Sequence, residues 1–310
     1  MSETAAIFPG QGSQSVGMLA GLAAGSELVR ETFDEASRAI GGCDLWQLVS
    51  EGPVDELNQT RWTQPAMLAG DIAVWRVYRD RGGAMPAVMA GHSLGEYAAL
   101  VAAESMALVD ATAVVHERGR LMQEAVAEGE GAMAAILGLE DEQVEQICTA
   151  IASNEVVVAA NYNSPGQLVI AGSRAGVEQA LDECRQAGAK RAMLLPVSVP
   201  AHSPLMAPAA SGLKRALEMI EIKTPVRPVL HNVDLRSRDD ADSIRRALID
   251  QLTHPVPWTG TIRALVAYGA TRFLECGPGK VLSGLGRRIQ RDAEWLALES
   301  CEGVEQALQD

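Results

Sequence analysis

The chain has 310 residues, which is enough for about two domains of ordinary size. Hydrophobic residues make up 47% of it and charged residues 21%, which excludes a wholly disordered chain, and with only 4% aromatic residues the core must be mostly aliphatic. Because 26 Lys and Arg face 40 Asp and Glu, the net charge of −14 argues against binding to nucleic acid or to an anionic membrane.

Signals for export or membrane insertion are not evident. The opening residues, MSETAAIFPGQG, have no positively charged segment before an apolar core, and the longest aliphatic stretch, 97–115, contains Glu104 and Asp110. The five cysteines are widely spaced without a C-x-x-C pair, as expected of reduced thiols. We therefore expect a cytoplasmic protein that does not span a membrane.

The first predicted strand is the apolar run 5–8, which leads into the glycine loop Pro9-Gly10-Gln11-Gly12-Ser13-Gln14. Glycines there let the backbone approach another group closely. A mostly helical stretch runs to residue 80, and a strand at 87–90 follows. The next predicted helix, 96–106, is apolar almost all round, which is typical of a buried helix.

A unit with a different pattern follows between about 131 and 197. Its apolar spacing predicts strand 132–137, helix 140–152, strands 156–160 and 167–171, helix 174–187 and strand 191–197. That order, βαββαβ, is the ferredoxin-like plan. Cys148 and Cys184 lie in the apolar stripes of the two helices, which favours packing over metal or redox chemistry.

The segments on either side of this unit predict one larger, discontinuous domain of alternating strands and helices, which closes with strand 272–276 and helix 280–290. We expect this large α/β domain to comprise 1–128 and 198–310, and the small domain to comprise 129–197. A cleft must exist where the chain passes between the two domains.

The pentapeptide Gly91-His92-Ser93-Leu94-Gly95 fits G-x-S-x-G, in which a serine on a sharp strand-to-helix turn exposes its hydroxyl group. The predicted strand before it and the buried helix after it supply the right context. The plainer alternative is a glycine-rich turn whose serine only caps the helix at Glu96. Ser93 is therefore the candidate nucleophile.

A serine hydroxyl needs a neighbouring base, most often a histidine, and the chain has five. Four are less well placed, on the tight turn itself, in a helical stretch or near prolines in loops: His92, His116, His231 and His254. His202 follows the last strand of the small unit, at the predicted cleft. The residues alone leave His202 open between a catalytic base and a structural histidine.

Seven short motifs occur in order along nearly the whole chain: FPGQGSQ at 8–14, QPA at 64–66, GHSLGE at 91–96, RGRLM at 118–122, NYNSPGQ at 161–167, VPAH at 199–202 and GPGKVL at 277–282. Together they resemble the malonyl-CoA:acyl-carrier-protein transacylases of fatty-acid and polyketide synthesis. The resemblance implies an α/β fold in which a hydrolase-like large domain with a mainly parallel sheet is interrupted by a ferredoxin-like small domain.

The resemblance also implies a role for each matching residue. Ser93 would be the nucleophile and His202 its base, in a dyad whose imidazole is oriented by the backbone carbonyl of Gln251. A carbonyl can fix the tautomer, although it stabilises imidazolium less than a carboxylate does. The backbone N–H groups of Gln11 and Leu94 would form the oxyanion hole.

Arg118 would pair with the free carboxylate of a malonyl group, because a planar guanidinium meets a carboxylate with two parallel hydrogen bonds. On the residues alone, Arg118 beside Glu117 on a helix fits a solvated ion pair. Five further residues would contact the substrate: Gln11, His92, Met122, Asn161 and Asn163. The two asparagines also fit turn residues that satisfy backbone groups.

The implied reaction is ping-pong transfer of a malonyl group from malonyl-CoA to the phosphopantetheine thiol of acyl carrier protein, through an O-malonyl serine. It needs no metal and no redox cofactor. Because acyl carrier proteins are acidic, docking requires a basic rim. Its candidates, which also fit solvated surface residues, are Lys190, Arg191, Lys280, Arg287 and Arg288, and the first two are also candidates for contacting the phosphates of CoA. We expect a monomer that binds neither nucleic acid nor membrane.

Three alternatives stay open at this stage. An esterase or thioesterase of the α/β-hydrolase type would share the serine turn, but would usually show an acid and then a histidine after Ser93 in chain order. An acyltransferase for another extender acyl-CoA would differ only in pocket shape near Ala201. A non-catalytic carrier-binding domain would keep the fold without the activity.

Overall fold

The computed structural model describes residues 3–41, 43–197 and 199–309. Ser198 and the chain ends, which bound the predicted domains, lie outside the described residues. The strands of the described part are β1 (Glu3–Phe8), β2 (Val88–Gly91), β3 (Gly131–Leu137), β4 (Val157–Ser164), β5 (Gln167–Ser173), β6 (Arg191–Leu194), β7 (Val229–Leu230), β8 (Ala270–Glu275) and β9 (Glu294–Ala297).

Helices pack around these strands. They are α1 (Ala20–Gly25), α2 (Leu28–Ala39), α3 (Leu45–Glu51), α4 (Val54–Leu57), α5 (Thr60–Asp80), α6 (Gly95–Ala102), α7 (Leu108–Glu124), α8 (Asp141–Ile151), α9 (Arg174–Gln186), α10 (Ala207–Glu218), α11 (Ala241–Asp250), α12 (Trp258–Ala267), α13 (Val281–Ile289) and α14 (Cys301–Leu308). No helix in residues 3–41, 43–197 or 199–309 is long and apolar enough to cross a bilayer.

The larger sheet is parallel throughout, with the strand order β7-β2-β1-β8-β9. Its central strand β1 is apolar on both faces: Ala6 and Phe8 enter the core beneath α5 and α6, while Ala5 and Ile7 enter a second core on the opposite face. Such continuous apolar strands are typical of parallel sheets covered by helices on both sides. The predicted α/β class with a mainly parallel sheet is confirmed.

The register of β1 and β2 positions the glycine loop. Phe8 lies opposite Gly91, so the two strands end side by side. The loop that follows β1 and the turn that follows β2 therefore emerge at the same carboxyl edge of the sheet, where ligands of open α/β sheets bind.

The smaller sheet is antiparallel, with the strand order β4-β5-β3-β6 and helices α8 and α9 on one face. This is the arrangement of the predicted βαββαβ unit. Cys148 and Cys184 lie buried in its core, as predicted, and burial raises the pKa of the Cys184 thiol to about 11. The domain bounds at 128–129 and 197–198 stay predictions.

Backbone hydrogen bonds join strand β4 of the small sheet to the segment that precedes α12. The N–H of Val256 donates to the carbonyl of Ala160, and the N–H of Tyr162 donates to the carbonyl of Val256. Asn161 and Val256 thus form a parallel bridge at the edge of β4. The segment that precedes α12 consequently extends the small sheet by one short bridge.

Several predicted bounds are wrong. The strand predicted over 191–197 ends at Leu194, although the N–H of Leu195 still donates to the carbonyl of Met133 in β3, and the helix predicted over 96–106 ends at Ala102. β4 continues to Ser164, beyond the predicted residue 160. Strands β7 and β9 are not predicted, because runs of two and four residues carry too little periodicity to be recognised. Helix α14, with eight residues, lies beyond the helix with which the predicted large domain closes.

Candidate active site

Ser93 lies on a tight turn between β2 and α6 and has a φ angle of 53°. The turn needs glycine on both sides: a Cβ on Gly95 would lie 2.0 Å from the carbonyl oxygen of Phe8, and one on Gly91 would lie 1.9 Å from the backbone of Gly95. Helix α6 has no side-chain cap, so the alternative of a capping serine is wrong. The turn presents the hydroxyl of Ser93 to the space above the sheet.

The side chain of Asn232 holds this turn. It accepts a hydrogen bond from the N–H of Ser93 at 2.9 Å and donates one to the carbonyl of Gly91 at 2.8 Å. The amide of Ser93 is therefore occupied and is not free to bind another group.

His202 contacts Ser93, although the two residues lie 109 positions apart in the sequence. The hydroxyl of Ser93 lies 2.7 Å from Nε2 of the imidazole, and Nδ1 lies 2.9 Å from the carbonyl of Gln251 and 3.2 Å from that of His254. Because carbonyls only accept, Nδ1 carries the proton and Nε2 is free to accept from the hydroxyl. Burial and the charge of Arg118 lower the pKa of His202 to about 3, so the imidazole is neutral.

Arg118 is also buried, with 2% of its surface exposed. It donates to the side-chain oxygens of Gln64 at 2.8 Å and Gln251 at 3.0 Å, and its Nη2 lies 3.5 Å from the hydroxyl oxygen of Ser93. Among the described residues no carboxylate bonds to it. Such a buried, unneutralised guanidinium is a ready site for an anionic ligand.

The alternative of a solvated pair between Arg118 and Glu117 is wrong, because Glu117 pairs at 2.7 Å with Arg120 instead. Arg118 lies on the buried side of α7, next to Gly119. A Cβ on Gly119 would lie 2.7 Å from the carbonyl of Thr60, so this glycine lets α7 approach the start of α5. That approach brings Arg118 to Gln64.

A cavity of about 380 Å³ unites these groups. Its walls contain most of the residues that the sequence singled out, namely Gln11, His92, Ser93, Leu94, Arg118, Met122, Asn161 and His202. Apolar side chains complete one wall: Met133, Leu195, Val197, Val199 and Ala201. The cavity lies between the carboxyl edge of the large sheet and the small sheet. Its volume suits a small acyl group together with part of the molecule that carries it.

The amide N–H groups of Gln11 and Leu94 have no hydrogen-bond acceptor among the described residues. Both residues line the cavity beside Ser93, because β1 and β2 end in register. Two such amides can bind an oxygen that becomes negatively charged.

The two asparagines of the NYNSPGQ motif differ in position. Asn161 lines the cavity, and its side-chain oxygen is buried without a hydrogen-bond partner. Asn163 lies outside the cavity lining; its side-chain oxygen accepts from Nε2 of His92 at 2.9 Å. His92 also packs against the Trp258 ring. Asn163 therefore reaches the site only through His92.

Sequence reasoning missed a buried polar cluster beneath the serine turn. The carboxylate of Glu96 accepts from Nδ1 of His231 at 2.7 Å, from the N–H of Asn232 at 2.9 Å and from the side-chain amide of Gln251 at 2.8 Å. A signal for it existed, because Glu96 is the one charged residue in the otherwise apolar sequence of α6. Gln64 and the carbonyl of His254 were also missed.

The five basic candidates lie on the surface, and none of them lines the cavity: Lys190, Arg191, Lys280, Arg287 and Arg288. Arg287 donates to the carbonyl of Trp295 at 3.0 Å, and Arg288 donates to the side chain of Gln167 at 2.7 Å. Their role in docking stays a prediction. Within the described residues, no group of three His, Cys, Asp or Glu side chains could hold a metal ion.

The chain is similar to known proteins over nearly its whole length. Residues 6–298 match the family model of the acyl transferase domain. The malonyl CoA-acyl carrier protein transacylase of Salmonella typhimurium is 53% identical over 289 residues, which is 93% of this chain and 93% of that protein.

Solved structures are similar over the whole fold. The malonyl CoA-acyl carrier protein transacylase of Coxiella burnetii has a TM-score of 0.97 and 48% identity, covering 99% of this chain and 97% of that one. A malonyl-transacylase in complex with its type II PKS acyl-carrier protein has a TM-score of 0.97 and 49% identity, covering 99% of each chain. The resemblance inferred from the seven motifs is confirmed. The chain belongs to the acyl transferase family, among the malonyl CoA-acyl carrier protein transacylases.

Proposed function

We propose that this chain transfers the malonyl group of malonyl-CoA to the phosphopantetheine thiol of acyl carrier protein, through a malonyl ester on Ser93. One observation carries the proposal: a buried Arg118 without a carboxylate partner lies 3.5 Å from the hydroxyl of a serine that is bonded to a neutral histidine. In a chain of this family, that arrangement fits a substrate that is both a thioester and a carboxylate.

The first half-reaction forms the ester. His202 accepts the proton of the Ser93 hydroxyl at Nε2 while the oxygen attacks the thioester carbonyl. The imidazolium keeps its Nδ1 proton on the carbonyls of Gln251 and His254. When the C–S bond breaks, the sulfur of CoA takes the proton from Nε2, and neutral His202 is restored.

The negative charge that develops on the carbonyl oxygen needs donors that are already in position. We assign this role to the amides of Leu94 and Gln11, since the amide of Ser93 is occupied by Asn232. Removing one such donor from an oxyanion hole costs roughly 3 kcal/mol of transition-state stabilisation.

The malonyl carboxylate would pair with Arg118. Because Nη2 is so close to the nucleophilic oxygen, the pocket suits a diacid whose carboxylate lies only a few bonds from the thioester carbon. Met122 and Ala201 line the same cavity, and we assign to them the wall that a branched extender unit would meet. Such a wall discriminates against one methyl group by about 1–3 kcal/mol.

In the second half-reaction, the thiol of the phosphopantetheine arm gives its proton to Nε2 of His202 and attacks the ester carbon. The C–O bond to Ser93 then breaks, and the serine oxygen takes the proton back from His202. The unpartnered oxygen of Asn161 would accept a hydrogen bond from an amide of the arm. Every step moves protons and an acyl group only, so the proposal includes no metal and no redox cofactor. The cytoplasmic, monomeric state predicted from the sequence is part of the proposal.

The proposal is tested by intact mass measurement. The protein is mixed briefly with malonyl-CoA, the modified peptide is mapped, and holo acyl carrier protein is then added. We expect one malonyl adduct on Ser93 that disappears as malonyl-carrier protein forms, and no adduct on Ser93→Ala. An adduct on another residue, or loss of the malonyl group to water faster than to the carrier, contradicts the proposal and favours a hydrolase.

Docking of the carrier is tested separately. Lys280→Glu with Arg287→Glu reverses charge on one surface, and Lys190→Glu with Arg191→Glu reverses it on the other. We expect transfer to acyl carrier protein at low salt to slow, while transfer to free pantetheine stays unchanged, because only the protein partner meets the rim. If both double variants transfer to the carrier at the wild-type rate, the basic rim lies elsewhere.

A further inference from the structure

Glu96 is the centre of the buried cluster beneath Ser93. Its side chain is fully buried, and two N–H groups, of Asn232 and of the Gln251 amide, contact the same carboxylate oxygen at 2.9 and 2.8 Å. The other oxygen contacts Nδ1 of His231 at 2.7 Å. The reaction described above does not use this carboxylate.

Gln251 connects Glu96 to both reacting groups of the cavity. Its side-chain nitrogen donates to Glu96 at 2.8 Å and to the main-chain carbonyl of Ser93 at 3.0 Å, and its side-chain oxygen accepts from Arg118 at 3.0 Å. Its main-chain carbonyl accepts from Nδ1 of His202 at 2.9 Å. Gln251 therefore holds the guanidinium of Arg118 through its side chain and the imidazole of His202 through its backbone.

The orientation of the Gln251 amide depends on Glu96. If the amide turned over, its NH₂ group would face the guanidinium of Arg118, and its oxygen would face the carboxylate. Both contacts would then be repulsive, because guanidinium only donates and carboxylate only accepts. Glu96 and the carbonyl of Ser93, which the same nitrogen contacts at 3.0 Å, therefore select the orientation in which Arg118 finds an acceptor.

We propose that Glu96 is a positioning residue for the acyl transfer: it fixes Gln251 between Arg118 and His202, and its negative charge stabilises the imidazolium that forms on His202 during the reaction. The inference rests on the proposed function and deepens it. In a catalytic triad, the acid contacts the histidine directly. Here Glu96 would act in its place through Gln251, which lies between the carboxylate and the imidazole.

The charges around the cluster are few, so the effect of Glu96 can be isolated. Within the described part of the chain, the charged and titratable groups that interact with Glu96 or His202 are His231, Tyr97, Arg118 and His92. Arg118 opposes a positive charge on His202. Glu96 is the negative group among them and therefore acts in the opposite sense.

The variant Glu96→Gln removes the charge and can keep every hydrogen bond. Nε2 of His231 has no hydrogen-bond partner in the described structure, so His231 can carry its proton there. Nδ1 then accepts from the new amide NH₂, while the new amide oxygen accepts from Asn232 and Gln251. We expect ¹⁵N NMR of the His231 ring to report this change of tautomer.

A matched control is Glu275→Gln. Glu275 is a second fully buried carboxylate, and it accepts from the amides of Leu282 and Ser283 at 2.9 and 2.7 Å, away from the cavity. Glu96→Ala serves as the disruptive variant, because it removes the charged acceptor of the Gln251 amide and leaves it the carbonyl of Ser93 at 3.0 Å and the side-chain oxygen of Asn232 at 3.4 Å. Each is assayed for kcat and KM with malonyl-CoA and carrier protein, and for melting temperature.

We expect Glu96→Gln to lower kcat about tenfold with little change in the KM for malonyl-CoA, because Arg118 stays in place while the imidazolium loses a charge partner. We expect Glu96→Ala to lower kcat and raise KM together, because the Gln251 amide that supports Arg118 is then held by fewer hydrogen bonds. Glu275→Gln should keep the wild-type kcat and KM.

Two results overturn the inference alone: wild-type kcat in Glu96→Gln, or losses in Glu96→Gln that Glu275→Gln reproduces in step with its melting temperature. In either case the wild-type protein still forms malonyl-Ser93 and transfers it. A wild-type protein that takes up no malonyl group overturns the proposed function and this inference with it.

Discussion

Ser93 and His202 both have left-handed backbone angles, φ 53° and 61°, and their side chains meet at 2.7 Å. Residues with a Cβ rarely adopt this conformation, which costs roughly 1–2 kcal/mol at each position. The cost is offset by contacts around them, from Asn232 to the serine turn and from two carbonyls to the imidazole. The two strained residues are thereby aimed at each other.

Glycine at position 93 should relieve the strain of the serine turn. We expect Ser93→Gly to be about 1 kcal/mol more stable than Ser93→Ala, since both lack the hydroxyl but only alanine keeps the strained Cβ. Urea denaturation of the two variants measures the difference. Neither should form a malonyl adduct, and an alanine variant as stable as the glycine variant would show that the turn is unstrained.

Arg118 should control the preference for a carboxylated acyl group. We expect Arg118→Ala to lower kcat/KM for malonyl-CoA roughly a hundredfold, the effect of losing charge-assisted hydrogen bonds in a buried site. The kcat/KM for acetyl-CoA, which has no free carboxylate, should fall much less. The matched control is Arg120→Ala on the same helix, whose exposed side chain binds Glu117 and Glu124 and should be dispensable. Equal losses for the two acyl groups would argue against the assignment.

The buried imidazole should make folding sensitive to acid. The pKa of His202 falls from 6.5 to about 3 on folding, so the unfolded chain binds this proton more readily. Its contribution to stability is complete above about pH 6.5 and is lost as the pH falls toward 3, by at most ~1.4 kcal/mol per pH unit.

Glu275 acts in the opposite direction, because burial raises its pKa to about 7. Its folded form binds the proton more readily, so it adds stability as the pH falls below 7.

Comparison of the wild type with His202→Gln separates the effect of His202 from that of Glu275. Between pH 7 and pH 5, the variant should lose about 2 kcal/mol less unfolding free energy than the wild type. Parallel losses in urea denaturation would contradict this.

Two helix glycines should respond oppositely to alanine. A Cβ on Gly95 would lie 2.0 Å from the carbonyl of Phe8, whereas a Cβ on Gly284 in α13 meets nothing within 4 Å. We expect Gly95→Ala to destabilise the fold by several kcal/mol, about 3 or more, and Gly284→Ala to stabilise it by about 0.5–1 kcal/mol. Thermal melting of both variants checks the pair. A neutral Gly95→Ala would show that β1 and α6 can move apart.

The sequence was sufficient for the fold class, because the apolar strands, the glycine turn and the βαββαβ unit each have a local pattern. It was also sufficient to select residues that the structure brings into one cavity, including Gln11 and Met122, although their roles stay predictions. It was not sufficient for Glu96 and His231, because their contact joins positions 135 residues apart and leaves no local pattern. A single sequence does not encode such a pairing visibly.

The burial of Arg118 could not be predicted from the sequence either. On a helix of mixed composition, its exposure could not be inferred from spacing, because Glu117 and Arg120 lie beside it and suggest a surface ion pair. The close packing of Gly119 against α5 decides the matter, and that packing depends on the tertiary fold.

The bridge between Asn161 and Val256 has a mechanical consequence. The stretch that ends at this bridge begins with Gln251 and includes His254, whose carbonyls hold the imidazole. Any tilt of the small sheet therefore pulls on the supports of His202. Widening of the cleft and loosening of the base are linked by a tether only a few peptide units long.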